Sequence, residues 1–422
     1  MTLPLFVSGI ALWFGSMAIT MMDAPRPKQD YQIPEVLAPF VGKVELDPEK
    51  FQDPQTARAT AQFLSDQFKG RKQPESVRML IHILRGADIG PRDGWFGPAQ
   101  KRYDWDWLCR FNKLNPNIQG ITRTSFRGSK HFFTVLDRDG NGQISAQDLD
   151  WSEHNPWVRD TAIANRLFRR LNAKGDGLLT RAELDSFFLK ANSEGETLTL
   201  AQFRAALFPP SPVGSPKGDA PSIPTLVKGL YRNEIGCLFE GPDLNAAAPD
   251  FQLKSISGKE TIQLSKLTGA QPIVLVFGNF SCGPFRRYYP EVDHLFQKYK
   301  DQAKFVMVYV REAHPEEGWK MESNRRAGVS VHQPQTYAER SGNCREFCNR
   351  LKPSMPVVVD ELNDVVGNAY GGMPARLYVI DAKGKIAYKG GRGPFGFHTA
   401  EMEQALVLCL LESLPVAEEK PK

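Results

Sequence analysis

Six prolines fall within the 17 residues FPPSPVGSPKGDAPSIP, positions 208–224. With the glycine and serine between them, they can neither continue a helix nor close a buried core. Residues 209–224 therefore read as a semi-rigid linker, and the periodicity of the chain differs on its two sides. Before it, QTARATAQFLSDQF and PESVRMLIHILRG place apolar residues at helical spacing. After it, QPIVLVFG, AKFVMVYV, MPVVVD, ARLYVID and KIAYKG are short β-branched runs alternating with helical segments, the pattern of an α/β domain around a central sheet. A chain of 422 residues, 41% hydrophobic, is long and apolar enough for more than one core. The expected order is an anchor or signal segment over 1–22, a linker over 23–50, an all-α domain over 51–208, the linker 209–224 and an α/β domain over 225–415.

LPLFVSGIALWFGSMAITMM, residues 3–22, carries no charge. At about 1.5 Å per residue a helix of that length crosses a bilayer. The chain is expected to be membrane-anchored by this one segment, or exported. No Lys or Arg precedes the run and no small-x-small cleavage site follows it. Arg26 and Lys28 are accompanied by Asp23 and Asp30, so the side of the membrane is not set. A net charge of +5 from 53 basic and 48 acidic residues, with no basic run interleaved with aromatics, excludes a nucleic-acid surface. Six scattered cysteines without a CxxC pair exclude a disulfide scaffold and structural zinc.

DRDGNGQISAQD, residues 137–148, fits an EF-hand calcium loop. Asp137, Asp139 and Asn141 take positions one, three and five, Gly142 the sharp turn, the Gln143 carbonyl position seven, and Asp148 position twelve. Because Asp148 is shorter than the usual Glu, weaker calcium binding is expected. NAKGDGLLTRAE, residues 172–183, repeats the frame at a spacing suited to a paired hand. Its ligands Asn172, Asp176 and Glu183 are joined by Lys174, a cation where the third ligand belongs, so this loop is expected to be structural or weak. LNPNIQGITRTSF and NSEGETLTLAQF are candidates for further degenerate copies. The N-terminal domain is thus expected to be an all-α EF-hand domain with Ca2+ as its metal.

In NFSCGPFRRYYPEV, residues 279–292, a cysteine follows a buried strand and opens a helix, where the dipole and unpaired N–H groups favour a thiolate. Arg286 and Arg287 add positive charge, so a lowered Cys282 pKa is expected. The order of elements resembles thioredoxin-like redox proteins, with Phe285 where thioredoxins carry their second cysteine and Met373-Pro374 in place of their cis-proline. Together with VYVREAHPEEGW (308–319), YGGMPARLYVID (370–381) and YKGGRGPFGF (388–397), the stretch resembles the iodothyronine deiodinases, whose motifs read FGSxTUPPF, YIxEAHxxDGW, YGxxxERLYVI and YxGGxGPxGY, U being selenocysteine. The resemblance covers roughly residues 245–412 and implies an α/β thioredoxin-like domain.

It further implies an enzyme that removes iodide reductively from a small halogenated aromatic substrate, with an external thiol reductant and no organic cofactor. Cys282 would be the nucleophile, Glu312 and His314 would serve the proton, and Arg392 with Met373 and Pro374 would contact substrate. A polarizable sulfur attacks a soft halogen, and a guanidinium suits a carboxylate or phenolate. The sequence departs from the family in three places: Cys282 replaces selenocysteine, Phe280 stands where some members keep a helper cysteine, and Pro334 replaces a histidine, with His332 nearby. Without a partner at Phe285, an oxidised Cys282 must be restored by an external thiol or another cysteine of the chain. Cys344 and Cys348, four apart, are candidates for that role or for packing. A thiol peroxidase or general thiol reductant, and a calcium-responsive binding protein with a vestigial redox site, are the alternative readings.

Overall fold

The computed structural model describes residues 31–86, 98–152, 154–174, 178–208 and 221–414. The apolar run 3–22, Asp176 and positions 209–220 of the proline-rich stretch lie outside the described residues. Among the described residues no helix is long and apolar enough to cross a membrane.

Two 3-10 turns, Glu35–Phe40 and Pro48–Gln52, lead into α1 (Pro54–Gln67) and α2 (Glu75–Leu84). Helix α1 starts where the Asp53 carboxylate accepts the N–H groups of Gln55 and Thr56, at 3.3 and 2.9 Å, with Pro54 in the first turn. Its buried Ala57, Ala61 and Leu64 share one face. There follow β1 (Gln100–Lys101), α3 (Trp105–Phe111), β2 (Ile121–Thr122), α4 (Lys130–Leu136), β3 (Gln143–Ile144), α5 (Ala146–Leu149), α6 (Pro156–Leu171), α7 (Arg181–Ala191), α8 (Leu200–Leu207) and α9 (Ile223–Tyr231). The C-terminal part comprises β4 (Gln252–Lys254), β5 (Thr261–Gln263), β6 (Ile273–Gly278), α10 (Gly283–Tyr299), β7 (Lys304–Tyr309), α11 (Glu322–Arg326), α12 (Tyr337–Leu351), β8 (Val357–Val359), α13 (Val365–Tyr370), β9 (Arg376–Ile380), β10 (Ile386–Lys389) and α14 (Thr399–Glu412).

Six strands form one sheet in the order β1-β10-β9-β6-β7-β8. Strands β6, β7 and β8 run parallel, whereas β9 is antiparallel to β6. Every residue of β6 is buried, so its run IVLVFG shows no alternation, as a central strand covered on both faces requires. The register from Ile273↔Lys304 to Gly278↔Tyr309 ends β6 and β7 side by side. The segments 279–282 and 310–314 therefore leave the sheet together. This is the thioredoxin-like arrangement, with the cysteine helix α10 following the central strand.

Among the described residues, the stretch 51–208 expected to be one all-α domain packs into more than one core. Helices α1 and α2 share a core with α9 and with Leu37 and Leu46, which lie in the region expected to be linker. Residues 100–149 instead pack onto the C-terminal sheet: β1 pairs with β10, and Leu108, Phe133 and Leu136 join the core around β6. Helices α6 to α8 form a third piece, in which Leu207 is the buried apolar side chain. Periodicity identifies an apolar helix face but not the surface that covers it.

The hand pairing also differs from expectation. The calcium-type loop 137–148 pairs through Ile121↔Ile144 with the degenerate stretch 114–126, and among the described residues no strand pairing joins it to 172–183.

Candidate active site

Cys282 is the N-cap residue of α10, with Pro284 in the first helical turn and Pro290 inside the helix. Its thiol lies against the Phe285 N–H and the Arg286 guanidinium, both of which favour a thiolate, yet only 1% of the residue is exposed. Burial dominates and pushes the thiol up to about 11. The lowered pKa expected from the helix terminus is thereby corrected for this closed conformation. Of the two arginines, Arg286 is the one at the site: it donates to the Phe280 carbonyl and, at 2.8 Å, to Asn324 Oδ1, whereas Arg287 is exposed.

Three successive N–H groups of the cysteine loop are each held by a side chain. Phe280 N–H donates to Tyr309 Oη at 3.1 Å, Ser281 N–H to Glu312 Oε2 at 2.9 Å, and Cys282 N–H to Asn279 Oδ1 at 2.9 Å. Tyr309 in turn donates to Glu312 Oε1 at 2.5 Å. Ser281 Oγ accepts the N–H groups of Ala313 and His314 at 2.9 and 3.0 Å, which ties the EAH segment to the cysteine loop. Asn279, Ser281 and Tyr309 were not singled out in the sequence. Their signal there is a set of polar residues at the ends of two otherwise apolar strands.

Glu312 is fully buried, and burial raises its carboxyl pKa against the pull of the Tyr309, Ser281 and Asn343 hydrogen bonds. The half-buried His314 faces the Trp319 carbonyl with Nδ1 at 3.0 Å. A carbonyl only accepts, so Nδ1 carries the proton and Nε2 is the ring atom suited to exchanging one. The Met373-Pro374 bond is cis, as its place in the chain suggested, and the Pro374 carbonyl accepts from Asn279 Nδ2 at 3.0 Å. Cys282, Glu312, His314, Met373 and Pro374 thus come together beyond the C-terminal ends of the interior strands β6 and β7.

Arg392 does not present itself to a substrate. It is 0% exposed, and its N–H groups go to Glu75 Oε1 (3.1 Å) and Oε2 (2.9 Å), and to the carbonyls of Gly371 (2.7 Å), Phe239 (2.7 Å) and Met373. All five donors are spent within the protein. The substrate contact expected of Arg392 is therefore corrected to a structural one. Among the other thiols, Cys344 is buried and hydrogen-bonded to the half-exposed Cys348, which lowers the Cys348 pKa and, with burial, raises that of Cys344. Cys109, Cys237 and Cys409 are buried.

In the loop 137–148, carboxylate oxygens of Asp137, Asp139 and Asp148 lie within 4.8 Å of one another. Asp137 Oδ2 accepts the Gly142 N–H at 3.0 Å, while its Oδ1 is buried without a partner. Burial first, then repulsion from Asp148 and Asp139, raises the Asp137 carboxyl, a state that a cation relieves. Gly142 sits at φ +88°, the left-handed turn that the loop requires. Asp148 is oriented by N–H groups of Ser145 and Arg138 at 2.8 and 2.9 Å. Asn141 Nδ2 donates to Asp139 Oδ2 at 2.8 Å, and Gln143 lies in β3 opposite Thr122. In the loop 172–183, Glu183 is oriented the same way by Thr180 and Lys174, and Asn172 is the C-cap of α6. The three-carboxylate cluster has no counterpart there among the described residues.

Known proteins are similar in sequence to this part of the chain. The chain is 28% identical over 177 residues to thyroxine 5-deiodinase of Gallus gallus, covering 42% of this chain and 67% of that protein. It is 30% identical over 155 residues to type II iodothyronine deiodinase of Rattus norvegicus, covering 36% and 58%. The match thus spans about three fifths to two thirds of these relatives' length. A solved exposed lipoprotein thioredoxin of Streptococcus pneumoniae aligns at 20% identity over 39% of this chain and 100% of that one, with a TM-score of 0.27. Residues 226–408 match the family model described as iodothyronine deiodinase, and this part of the chain is similar to that family.

Proposed function

We propose that the C-terminal domain is a thiol-dependent oxidoreductase of deiodinase type that removes iodide from an iodinated aromatic compound. The supporting observation is the placement of Cys282 at a helix N-terminus, linked through the Asn279 amide to the Pro374 carbonyl and bonded through its own loop to the Glu312 and His314 segment. In the reaction the Cys282 thiolate attacks iodine, an S–I bond forms as the C–I bond breaks, and the ring carbon takes up a proton. His314 Nε2, which carries no proton at rest, would take the proton that leaves the Cys282 thiol and pass it to the ring carbon. A second thiol then displaces iodide from sulfur, and an external thiol reductant reduces the resulting disulfide. The electron pair that reduces the substrate comes from the two thiols.

Since the resting thiol is buried and raised, its neighbours must part before substrate reaches it. Asp137, Asp139, Asn141 and Asp148, with the Gln143 carbonyl, would hold one Ca2+, which supplies structural charge compensation rather than chemistry. Turnover of iodinated phenols with a dithiol, wild type against Cys282→Ser, tests the enzymatic reading. Iodide release that disappears in the variant supports it. Peroxide consumption through Cys282 without iodide release replaces it with a thiol peroxidase.

A further inference from the structure

We infer that Glu75, on the helical piece before the sheet, is a positioning residue for Cys282, acting through Arg392 and the 371–374 loop. This rests on the reading of Cys282 as the reacting group. The connection can be followed atom by atom. Glu75 opens α2, and its carboxylate meets the Arg392 guanidinium with two parallel bonds, 3.1 Å to Nε and 2.9 Å to Nη2. Arg392 Nη1 donates to the carbonyls of Gly371 and Met373, the residue before Pro374. The Pro374 carbonyl accepts from Asn279 Nδ2 at 3.0 Å. The other end of the same amide, Oδ1, accepts the Cys282 N–H at 2.9 Å and the Ser281 hydroxyl at 3.1 Å.

Each link is buried, so none is exchanged for water at no cost. A planar guanidinium whose five N–H groups are all engaged has one orientation, and the pair of Glu75 bonds sets two of those five. Without the Glu75 charge, Arg392 keeps its carbonyl acceptors but is a buried cation lacking its counter-ion, and it must shift toward another carboxylate or toward water. That shift moves the Gly371 and Met373 carbonyls, and with them the wall that faces the cysteine loop. Close packing reinforces the same contact. Gly236, in the segment after α9, has φ +90°, and a Cβ there would lie 2.1 Å from the Met373 carbonyl oxygen. The helical piece and the segment that follows α9 thus grip the wall from two directions. Arg376 adds a third hold, donating to the carbonyls of Glu240 and Gly371 at 2.9 and 3.2 Å.

The test uses the full chain and Glu75→Gln, which keeps the shape and removes the charge. Cys282 alkylation by iodoacetamide is followed against pH by peptide mapping, with Cys348 as internal reference. A loosened wall exposes the sulfur. Its titration midpoint is expected to fall by about one unit, raising the rate about tenfold below the midpoint, while Cys348 labels as before. Glu75→Asp, which retains the charge, should restore most of the wild-type profile. Where iodide release is measurable, kcat should fall about tenfold or more, as for other small misplacements of a reacting group, with KM little changed. A lower melting temperature with an unchanged Cys282 profile would make Glu75 merely structural and overturn the inference. Should Glu75→Gln not fold, Arg392→Lys, which keeps the charge and loses the fork, is read the same way. Failure of both to fold also overturns it. A wild type that releases no iodide but shows the alkylation response would sink the deiodinase reading and leave this inference standing.

Discussion

Glu312 Oε2 accepts the backbone N–H of Ser281 at 2.9 Å, one residue before the reactive cysteine, and its other oxygen takes the Tyr309 hydroxyl at 2.5 Å. A fully buried carboxylate therefore serves the backbone of the nucleophile loop directly. Glu312→Gln keeps the volume but has one acceptor oxygen where the Ser281 N–H, the Tyr309 hydroxyl and Asn343 Nδ2 all donate to the carboxylate, so at least one of the three is left unsatisfied. The variant is expected to lose about 1–3 kcal/mol of stability in denaturant titration and to release iodide more slowly. Unchanged stability would show that the network is not needed to hold the loop.

Thiol reactivity should follow burial rather than helix position. In the resting protein Cys348, half-exposed and with a lowered pKa, is expected to alkylate before Cys282 at neutral pH. Cys282 should titrate near 11, above the free-thiol value of about 8.5. Its folded pKa exceeds the unfolded one, so its contribution to stability is whole below the unfolded value and is lost as pH rises through the folded value. Cys237, pushed up to about 12, acts in the same direction. Stability measured by denaturant should thus decline from about pH 9 upward, and Cys282→Ser should flatten part of that decline.

Calcium should bind once. Calorimetry is expected to show one site, lost in Asp137→Asn and unaffected by Glu183→Gln. Because Gln404 of α14 donates to the Asp148 carbonyl at 2.8 Å and accepts from the Trp151 indole at 2.8 Å, the loop is joined to the helix that covers the sheet. Binding should therefore stabilise the sheet domain itself, by about 2.7 kcal/mol at a free cation level about 100 times Kd. A melting transition of the sheet domain indifferent to calcium would contradict this.

Restoring a thioredoxin-type second cysteine should fail. Phe285 is fully buried against Phe347, Phe397 and Tyr289, with ring centroids 6.0, 5.7 and 5.8 Å away. Gly278 is a glycine because a Cβ there would lie 2.2 Å from that ring. Phe285→Cys opens a cavity and should cost on the order of 3 kcal/mol. Mass spectrometry after mild oxidation is expected to find little disulfide between Cys282 and the introduced thiol, since the latter faces the core.

Several features needed nothing beyond local sequence. A buried strand followed by a cysteine and a helix start, and Asp-x-Asp-x-Asn-Gly in a turn, each follow from chemistry within a few residues, and the structure contains both; the cis Met373-Pro374 bond, also present, was implied by the family resemblance. What lay beyond reach depends on contacts between distant positions. Arg392 read as a substrate contact from the family resemblance, and its short-range sequence does not reveal its counter-ion, Glu75, which lies 317 residues away. The helical half read as one domain because periodicity reports a face and not its partner, and the fold divides that half among the α1, α2 and α9 core, the central sheet and an outlying trio of helices. The Cys282 pKa follows the same rule. Local sequence supplies the helix terminus and Arg286, which favour the thiolate, but the desolvation that outweighs them comes from chain packed around the thiol only when the whole domain closes.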